Sequence, residues 1–347
     1  METSCKGEGH QLLFGFEARV CALEEQVLRL AEMAKALGAA EARDSAREVA
    51  SAAKAAMSDL VSTRMPLGEG IPTADCSGLD EKLEARLSQV AAQAAKLRSA
   101  AMERLAREME PVRVEVGKAV LSCLAGRKTH HDQDLFALAT GNQHNCVSSE
   151  EFLSFVTGNS HGDFPAEQLR KLFDYLDDNA DGRLDRDEFA RCTVVLYRVS
   201  RPNVDLCHTM GLTQGRLVRR LELNEIVELV EGPVKESNKV VRIRCRSLKD
   251  GAMGWAMACG SNGVVFIQQT RVHFQVKRST PLTNTFSVNG CTSLRQLKEG
   301  ELLEVLVWEQ LETSSGLTRL KGRALRDGEV GWATVVGNTG ITNLQLV

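Results

Sequence analysis

Oxygen-bearing side chains are closely spaced in the stretch FDYLDDNADGRLDRDEF, residues 173 to 189. Counted from Asp177, they occupy the first, third, fifth, ninth and twelfth places, namely Asp177, Asn179, Asp181, Asp185 and Glu188. Gly182 occupies the sixth place, where a backbone without a Cβ can turn sharply. Carboxylate and amide oxygens at such spacing suit a hard divalent cation enclosed by a curled loop. The stretch therefore predicts cation binding, against the alternative of an acidic helix–turn–helix that holds no ion.

These twelve residues match the pattern D-x-[DN]-x-[DN]-G-x5-E at every constrained place. The stretch resembles the calcium-binding loop of the EF-hand family. The resemblance implies one bound Ca²⁺ ion, with Arg183 giving its backbone carbonyl oxygen and Glu188 giving two oxygens. A glutamate at the last place favours Ca²⁺ over the smaller, octahedral Mg²⁺. The implied ligand set is Asp177, Asn179, Asp181, Arg183, Asp185 and Glu188.

A second loop lies 37 residues upstream, at Thr140 to Glu151, with the sequence TGNQHNCVSSEE. The shift aligns Val147 with Leu184 and Glu151 with Glu188, but Glu151 is the one carboxylate that remains at a ligand place. One carboxylate is too little charge to hold Ca²⁺ at cellular concentrations. The sequence therefore predicts a paired EF-hand module over residues 128–199, with a degenerate first loop and a short contact between Val147 and Leu184. The exiting helix is expected to reach Tyr197.

The elements before this module are predicted to be helical. Apolar residues follow heptad spacing from Val20 to Leu37, resume after a phase shift at Gly38, and recur from Leu83 to Ala101. Residues 62–78 contain two prolines and three glycines and are expected to form a loop. Residues 1–127 then form a helical hairpin within one chain, or a coiled coil that assembles the protein as a homo-oligomer. A plain helical bundle is the third alternative.

The elements after the module change to short strands separated by Gly, Asn and Asp, and they form an internal duplication. Residues 241–267 match residues 318–344 at an offset of 77. Strands are expected at 226–231, 240–247, 254–258 and 264–267, with counterparts at 302–308, 318–325, 331–336 and 341–346. The strand order and a Gly-Trp dipeptide in each repeat resemble SH3-like small barrels. The predicted β domains span residues 200–275 and 276–347.

Both repeats carry three cations on alternate residues of one predicted strand. We call them the basic stripes; they are Arg242, Arg244 and Arg246 in the first repeat, and Arg319, Lys321 and Arg323 in the second. Alternation places each trio on one face of its strand. The stripes are candidate sites for phosphates, acidic peptides or the acidic segment upstream, and the alternative is an ordinary solvated sheet face. Few aromatics lie among them, so nucleic-acid binding by base stacking is not expected.

Charge and composition exclude several classes. The net charge of −3 implies no partner, but residues 128–197 carry 6 Lys and Arg against 13 Asp and Glu, whereas residues 198–347 carry 20 against 14. The ten cysteines occur singly, without a C-x-x-C pair, which disfavours a zinc site. No apolar run is long enough to span a membrane and no signal peptide is expected, so a cytoplasmic location is predicted. No enzyme motif is present.

The sequence thus predicts a multi-domain α + β protein with an N-terminal helical segment, a paired EF-hand module and two tandem small all-β domains. The expected function is that of a non-catalytic calcium sensor or adaptor, with one Ca²⁺ ion and a protein partner. Calcium would reorient the exiting helix and move the first β domain. The alternatives are a structural or cytoskeletal scaffold that calcium stabilises, and an anion- or nucleic-acid-binding protein that uses the basic stripes.

Overall fold

The computed structural model describes residues 2–64, 77–125, 135–141, 145–210 and 216–347. The chain divides into two compact units. One comprises Met1–Ala106 with Leu325–Glu329, and the other comprises Arg107–Ala324 with Val330–Val347. The predicted division into four domains is finer than these two units and stays a prediction. No described helix combines the length and the apolar character needed to cross a membrane.

The helices precede the strands along the chain. Within the described residues they are α1 (Glu2–Met33), α2 (Ala39–Arg64), α3 (Ser77–Ala125), α4 (Leu135–Thr140), α5 (Ser149–Gly158), α6 (Ala166–Leu176) and α7 (Arg186–Ala190). Helices α2 and α3 extend into the two ends of the predicted loop at 62–78, since α2 ends at Arg64 and α3 begins at Ser77; the rest of that prediction, at residues 65–76, lies outside the described residues. The phase shift predicted at Gly38 coincides with the break between α1 and α2.

Helices α1, α2 and the first part of α3 share one apolar core in the first unit. The heptad positions predicted from the sequence are the ones that it buries: Val20, Leu23, Val27, Val49, Ala53, Ala56, Leu60, Leu83, Leu87, Val90 and Ala94. These side chains therefore pack within a single chain as a three-helix arrangement. The core that they form is that of a helical bundle within one chain. Homo-oligomerisation stays a prediction.

The second unit contains all the described strands. In chain order they are β1 (Leu196–Val199), β2 (Val204–Cys207), β3 (Leu217–Leu221), β4 (Ile226–Lys235), β5 (Val241–Ser247), β6 (Met253–Cys259), β7 (Ile267–Gln269), β8 (His273–Val276), β9 (Thr280–Thr283), β10 (Ser293–Leu297), β11 (Leu302–Glu312), β12 (Leu317–Ala324), β13 (Val330–Val336) and β14 (Leu344–Leu346). They form two seven-stranded antiparallel sheets, ordered β3-β2-β6-β5-β4-β1-β7 and β10-β9-β13-β12-β11-β8-β14. The protein is therefore α + β, with an all-β C-terminal region.

The two sheets confirm the internal duplication, because adding seven to each strand number of the first order gives the second. Seven of the eight strands predicted from the sequence form with shifted ends, and the eighth, at 264–267, overlaps β7 only at Ile267. Six strands were missed: β1, β2, β3, β8, β9 and β10, each only four or five residues long. The predicted closed barrels are wrong, because both orders are linear and end at two edge strands. The predicted boundaries after residues 199 and 275 fall immediately after β1 and inside β8.

A glycine in the last long strand of each sheet allows a close approach of two strands. A Cβ at Gly331 would lie 2.7 Å from the carbonyl oxygen of Thr283 and 2.9 Å from Cγ of Leu282. A Cβ at its counterpart Gly254 would lie 2.6 Å from the carbonyl oxygen of Cys207. These distances explain why the Gly-Trp dipeptide recurs: only glycine fits between the paired strands.

Replacing Gly331 with alanine is expected to lower the free energy of unfolding by about 1–3 kcal/mol, because strands β9 and β13 must separate to accept the methyl group. Chemical denaturation checks this value. Gly337→Ala is the matched control in the same region, since a Cβ there meets its nearest atom at an ordinary 3.6 Å. Equal stability of the two variants would contradict the packing argument.

Four short helices form a pair of helix–loop–helix segments, as predicted for residues 128–199. The loops of the two segments meet at Val147 and Leu184, whose backbone N–H groups donate to each other's carbonyl oxygens at 2.8 and 2.9 Å. This antiparallel bridge confirms the expected contact between Val147 and Leu184. The phenylalanine rings of Phe136, Phe155 and Phe189 pack edge to face between the segments, with centroid distances of 5.7 and 5.1 Å to Phe189.

The exiting helix is shorter than expected. Helix α7 ends at Ala190, and Tyr197 lies in strand β1 rather than in a helix. The run from Val194 to Tyr197 is β-branched and aromatic, which suits a strand better than a helix. The guanidinium of Arg113 in α3 fixes the turn between them, donating to the carbonyl oxygens of Arg191 and Val194. The expectation that the exiting helix reaches Tyr197 is therefore wrong, whereas its movement on calcium binding stays a prediction.

Candidate metal centre

The loop between α6 and α7 is built from the ends of two helices. Asp177 follows the last residue of α6, and Asp185 caps the N-terminus of α7. The cap is reciprocal: the Asp185 carboxylate accepts the backbone N–H of Glu188, and the Glu188 carboxylate accepts the backbone N–H of Asp185. The same glutamate reaches back to the start of the loop and accepts the N–H of Asp178 at 3.0 Å. The Glu188 carboxylate is therefore hydrogen-bonded both to the start of the loop, at Asp178, and to its end, at Asp185.

The first three predicted ligands turn their oxygens into the loop. The two oxygens of Asp177 accept the N–H groups of Ala180 (2.6 Å) and Gly182 (2.9 Å). Oδ1 of Asn179 accepts the N–H of Asp181, and Oδ1 of Asp181 accepts the N–H of Arg183, both at 2.8 Å. These side-chain oxygens therefore accept backbone N–H groups of the loop and hold its turns.

The backbone conformation of this loop agrees with the residue types that the sequence places in it. Gly182 has a φ of +77°, which residues with a Cβ rarely adopt, so the turn depends on glycine at the sixth place. The side chain of Arg183 leaves the loop and donates to Sγ of Cys146 at 3.2 Å. That direction leaves the backbone carbonyl of Arg183 as the group that this residue can offer to an ion.

Two carboxylates of the loop are buried without a cation beside them. Asp177 is 5% exposed and Glu188 is 2% exposed. Within the described residues neither makes a salt bridge, and their recorded partners are backbone N–H groups. Burial raises the pKa of Asp177, and it raises the pKa of Glu188 to about 7. Burying a carboxylate is costly unless it is paired or bound to a cation.

The donor set fits a hard cation in chemistry and in number. It combines four carboxylates, one amide oxygen and one backbone carbonyl within twelve residues, and oxygens of this kind are what Ca²⁺ takes. In the arrangement described, however, no three His, Cys, Asp or Glu side chains of the described residues converge closely enough to hold a metal ion. The carboxylates face backbone N–H groups instead, so ion binding requires these side chains to move toward a common centre.

A buried ion network surrounds Asp178, a residue that the sequence motif leaves unconstrained. Its carboxylate lies 2.7 Å from the guanidinium of Arg323 and 3.1 Å from that of Arg191. Arg323 also contacts Glu304 at 3.2 Å, and Glu304 contacts Arg271 at 2.8 Å. Burial alone would raise the pKa of Asp178, but the two guanidiniums hold it below its usual value. The network anchors the start of the loop to strands β11 and β12.

A second, more exposed contact involves the end of the loop. The ammonium of Lys321 lies 3.3 Å from Asp187 and 3.6 Å from Asp185, which is the predicted ninth-place ligand. Lys321 and Arg323 both belong to the basic stripe of the second repeat. Of the candidate partners predicted for the stripes, the acidic segment is therefore the one that this stripe contacts. The sequence could suggest this contact through the opposite charges of the two regions, but not the residues that pair.

The stripe of the first repeat is paired within its own sheet. Arg242 contacts Glu236 at 2.8 Å, and Arg246 contacts Glu228 at 3.1 Å. Arg242 is buried, as are Arg319 and Arg323 in the second repeat. The alternative of an ordinary solvated face is therefore wrong for these three residues. Arg319 donates instead to Oγ1 of Thr283 and to nearby backbone carbonyls.

The upstream loop offers little to an ion. The carboxylate of Glu151 caps the N-terminus of α5, accepting the backbone N–H of Ser148 at 2.8 Å and the hydroxyl of the same residue at 2.7 Å. Residues 142–144 of this loop, which include His144, lie outside the described residues. The cap repeats the one at Asp185 and Glu188, so Glu151 matches Glu188 in local geometry but lacks acidic neighbours at the other ligand places.

Comparisons with known proteins give this chain no family. No family model and no curated protein matches it. Among solved structures, NlpC2 from Trichomonas vaginalis is 13% identical with a TM-score of 0.23, and NlpC1 from the same organism is 12% identical with a TM-score of 0.21. The alignments cover 44% and 41% of this chain and span 48% and 44% of those proteins. A likeness at this level supports no conclusion about fold or activity.

Proposed function

We propose that the chain is a calcium-binding protein with one EF-hand site, formed by Asp177, Asn179, Asp181, Arg183, Asp185 and Glu188. The observation that carries the proposal is the burial of Asp177 and Glu188, the first and twelfth residues of the loop, with backbone N–H groups as their partners. A bound cation would offset the cost of burying these two charges. The twelve-residue motif supplies the remaining oxygens at the spacing that Ca²⁺ requires.

The upstream loop is proposed as the silent partner of this site. The bridge between Val147 and Leu184 joins the two loops, as in a paired EF-hand module, while Glu151 is the one carboxylate at a ligand place of the upstream loop. A single working loop binds one ion without cooperativity between sites. The described part of the chain thus supports a stoichiometry of one Ca²⁺ ion per chain.

The class of function that fits best is a non-catalytic sensor or adaptor, with the duplicated β region as the part that contacts a protein partner. The ion network around Asp178 also favours a second candidate, a calcium-stabilised structural protein, because it joins the loop to the second sheet through buried groups. Anion binding by the stripes is not proposed, since their cations are largely buried or paired.

Titration calorimetry with Ca²⁺ and with Mg²⁺ tests the site. Wild-type protein is expected to bind one Ca²⁺ ion and to prefer it over Mg²⁺. Glu188→Gln removes one charge and one ligand oxygen, so we expect the Ca²⁺ affinity to fall at least about tenfold, or 1.4 kcal/mol.

Glu151→Gln is the matched control, because Glu151 has the same place in the upstream loop and the same capping role. It is expected to leave the affinity and the stoichiometry unchanged. Absence of saturable Ca²⁺ binding to the folded wild-type protein would refute the proposed function. A large increase in melting temperature with Ca²⁺, without any change in partner binding or scattering profile, would favour the structural role over the sensor.

A further inference from the structure

The two β repeats differ at the residue that faces the centre of the basic stripe. In the first repeat, Arg244 on β5 lies opposite Glu231 on β4, and their charged groups are 3.5 Å apart. In the second repeat, the corresponding pair is Lys321 on β12 and Val307 on β11. The cation has therefore kept its place in the duplicated sheet, while its cross-strand carboxylate has been replaced by an apolar side chain.

The charge of Lys321 is satisfied by the candidate calcium loop instead. Its ammonium contacts Asp187 at 3.3 Å and Asp185 at 3.6 Å, and its side chain is largely buried. Asp187 lies outside the ligand set, but Asp185 occupies the ninth place within it. A positive charge thus lies beside a carboxylate that a bound ion would also attract.

The neighbouring contact of the same strand has a different role. Arg323 pairs with Asp178, which is not a predicted ligand, and both side chains are buried. That pair fixes the position of the loop without occupying a ligand oxygen. The loop is therefore held firmly at its start by Arg323, while Lys321 acts on its ninth residue through a more exposed contact.

We infer that Lys321 sets the calcium affinity of the loop from the second β repeat, by competing with the ion for the carboxylate of Asp185. The inference rests on the proposed function. By thermodynamic reciprocity, if the contact of Lys321 weakens ion binding by a given free energy, ion binding weakens that contact by the same free energy. Calcium binding would then be communicated to the second sheet through a charge pair, and not to the first sheet through a rotating helix.

Calorimetric Ca²⁺ titration of Lys321→Gln against wild type tests the inference. Removing the ammonium is expected to tighten Ca²⁺ binding on the order of fivefold at low ionic strength, because a nearby cation repels the ion. The difference is expected to shrink in about 1 M salt, where exposed charges are screened within a few ångströms. Lys249→Gln is the matched control; it removes the same charge from the first repeat, where Lys249 pairs with Glu222 at 2.6 Å.

Circular dichroism melting in chelator verifies that all three proteins are folded. Tighter binding by Lys321→Gln, with no change in Lys249→Gln, supports the inference. Equal or weaker binding by Lys321→Gln, while wild type still binds one ion, overturns it and leaves the proposed function intact. Absence of Ca²⁺ binding to folded wild type and to both variants overturns the proposed function and the inference with it.

Discussion

Replacing Arg323 with methionine is expected to lower the free energy of unfolding by about 3–5 kcal/mol, because it removes the cation that two buried carboxylates share and leaves each with a single arginine. Arg323 is 2% exposed and lies between Asp178 and Glu304, at 2.7 and 3.2 Å. Burial alone would lower the pKa of this guanidinium, but the two carboxylates raise it. Methionine preserves much of the apolar volume, so the loss measures mainly the charge network. Urea denaturation in chelator provides the measurement.

Arg246→Met is the matched control for this substitution. Arg246 lies on the equivalent strand of the first sheet, pairs with Glu228 at 3.1 Å, and is half-exposed. Exposed pairs contribute about 0–1 kcal/mol, so only a small loss is expected there. The triple variant Asp178→Asn, Glu304→Gln, Arg323→Met should recover part of the stability, because it removes both buried negative charges together with the cation that they share. Equal losses in Arg323→Met and Arg246→Met would contradict the assignment of a buried network.

Replacing Phe189 with alanine is expected to lower the free energy of unfolding by about 3–5 kcal/mol, the range for deleting a buried phenylalanine ring. Phe189 is 1% exposed and follows Glu188 directly. Its ring contacts Phe136 and Phe155, which belong to the upstream helix–loop–helix segment. The substitution therefore removes the apolar contact that joins the two segments. Thermal and chemical denaturation in chelator provide the measurement.

Phe14→Ala serves as the control, since Phe14 is 71% exposed on helix α1. Substitutions at such sites are usually within about 0.5 kcal/mol of wild type. A destabilisation by Phe189→Ala of less than about 1 kcal/mol would mean that the two segments do not depend on this ring. Ca²⁺ affinity measured on the same variant then reports whether pairing of the segments preserves the loop conformation.

The local parts of the structure could be predicted from the sequence. Heptad spacing identified the buried face of the N-terminal helices, since side chains three and four residues apart share a helix face. The match between two segments at an offset of 77 identified the duplicated sheets before any strand pairing was known. The loop motif identified residues that cap helix α7 and close the turn at Gly182. Each of these features depends on residues close together in the chain or on similarity between two stretches of it.

The features that could not be predicted depend on residues far apart in sequence. Asp178 fills no constrained place of the loop motif, yet it binds Arg323, which lies 145 residues later. Strand alternation placed each basic stripe on one face of its strand, but whether that face is covered depends on elements elsewhere in the fold. The end of α7 was misplaced because the contacts that end it come from Arg113, which lies about 80 residues earlier in the chain. The short strands β1 to β3 and β8 to β10 have too few residues to show a period.

The first strand of each sheet lies in its interior. Strand β1 pairs with both β4 and β7, and β8 pairs with both β11 and β14. During synthesis on the ribosome, β1 therefore leaves the exit tunnel well before the strands that will flank it. If the chain were cut after Val199 and the N-terminal part removed, the backbone N–H and C=O groups of β4 and β7 that pair with β1 would lose their partners. The exposed strand edges could then pair with strands of other chains. The helix–loop–helix pair and the first sheet should therefore be expressed together, because a boundary after Val199 separates β1 from its sheet.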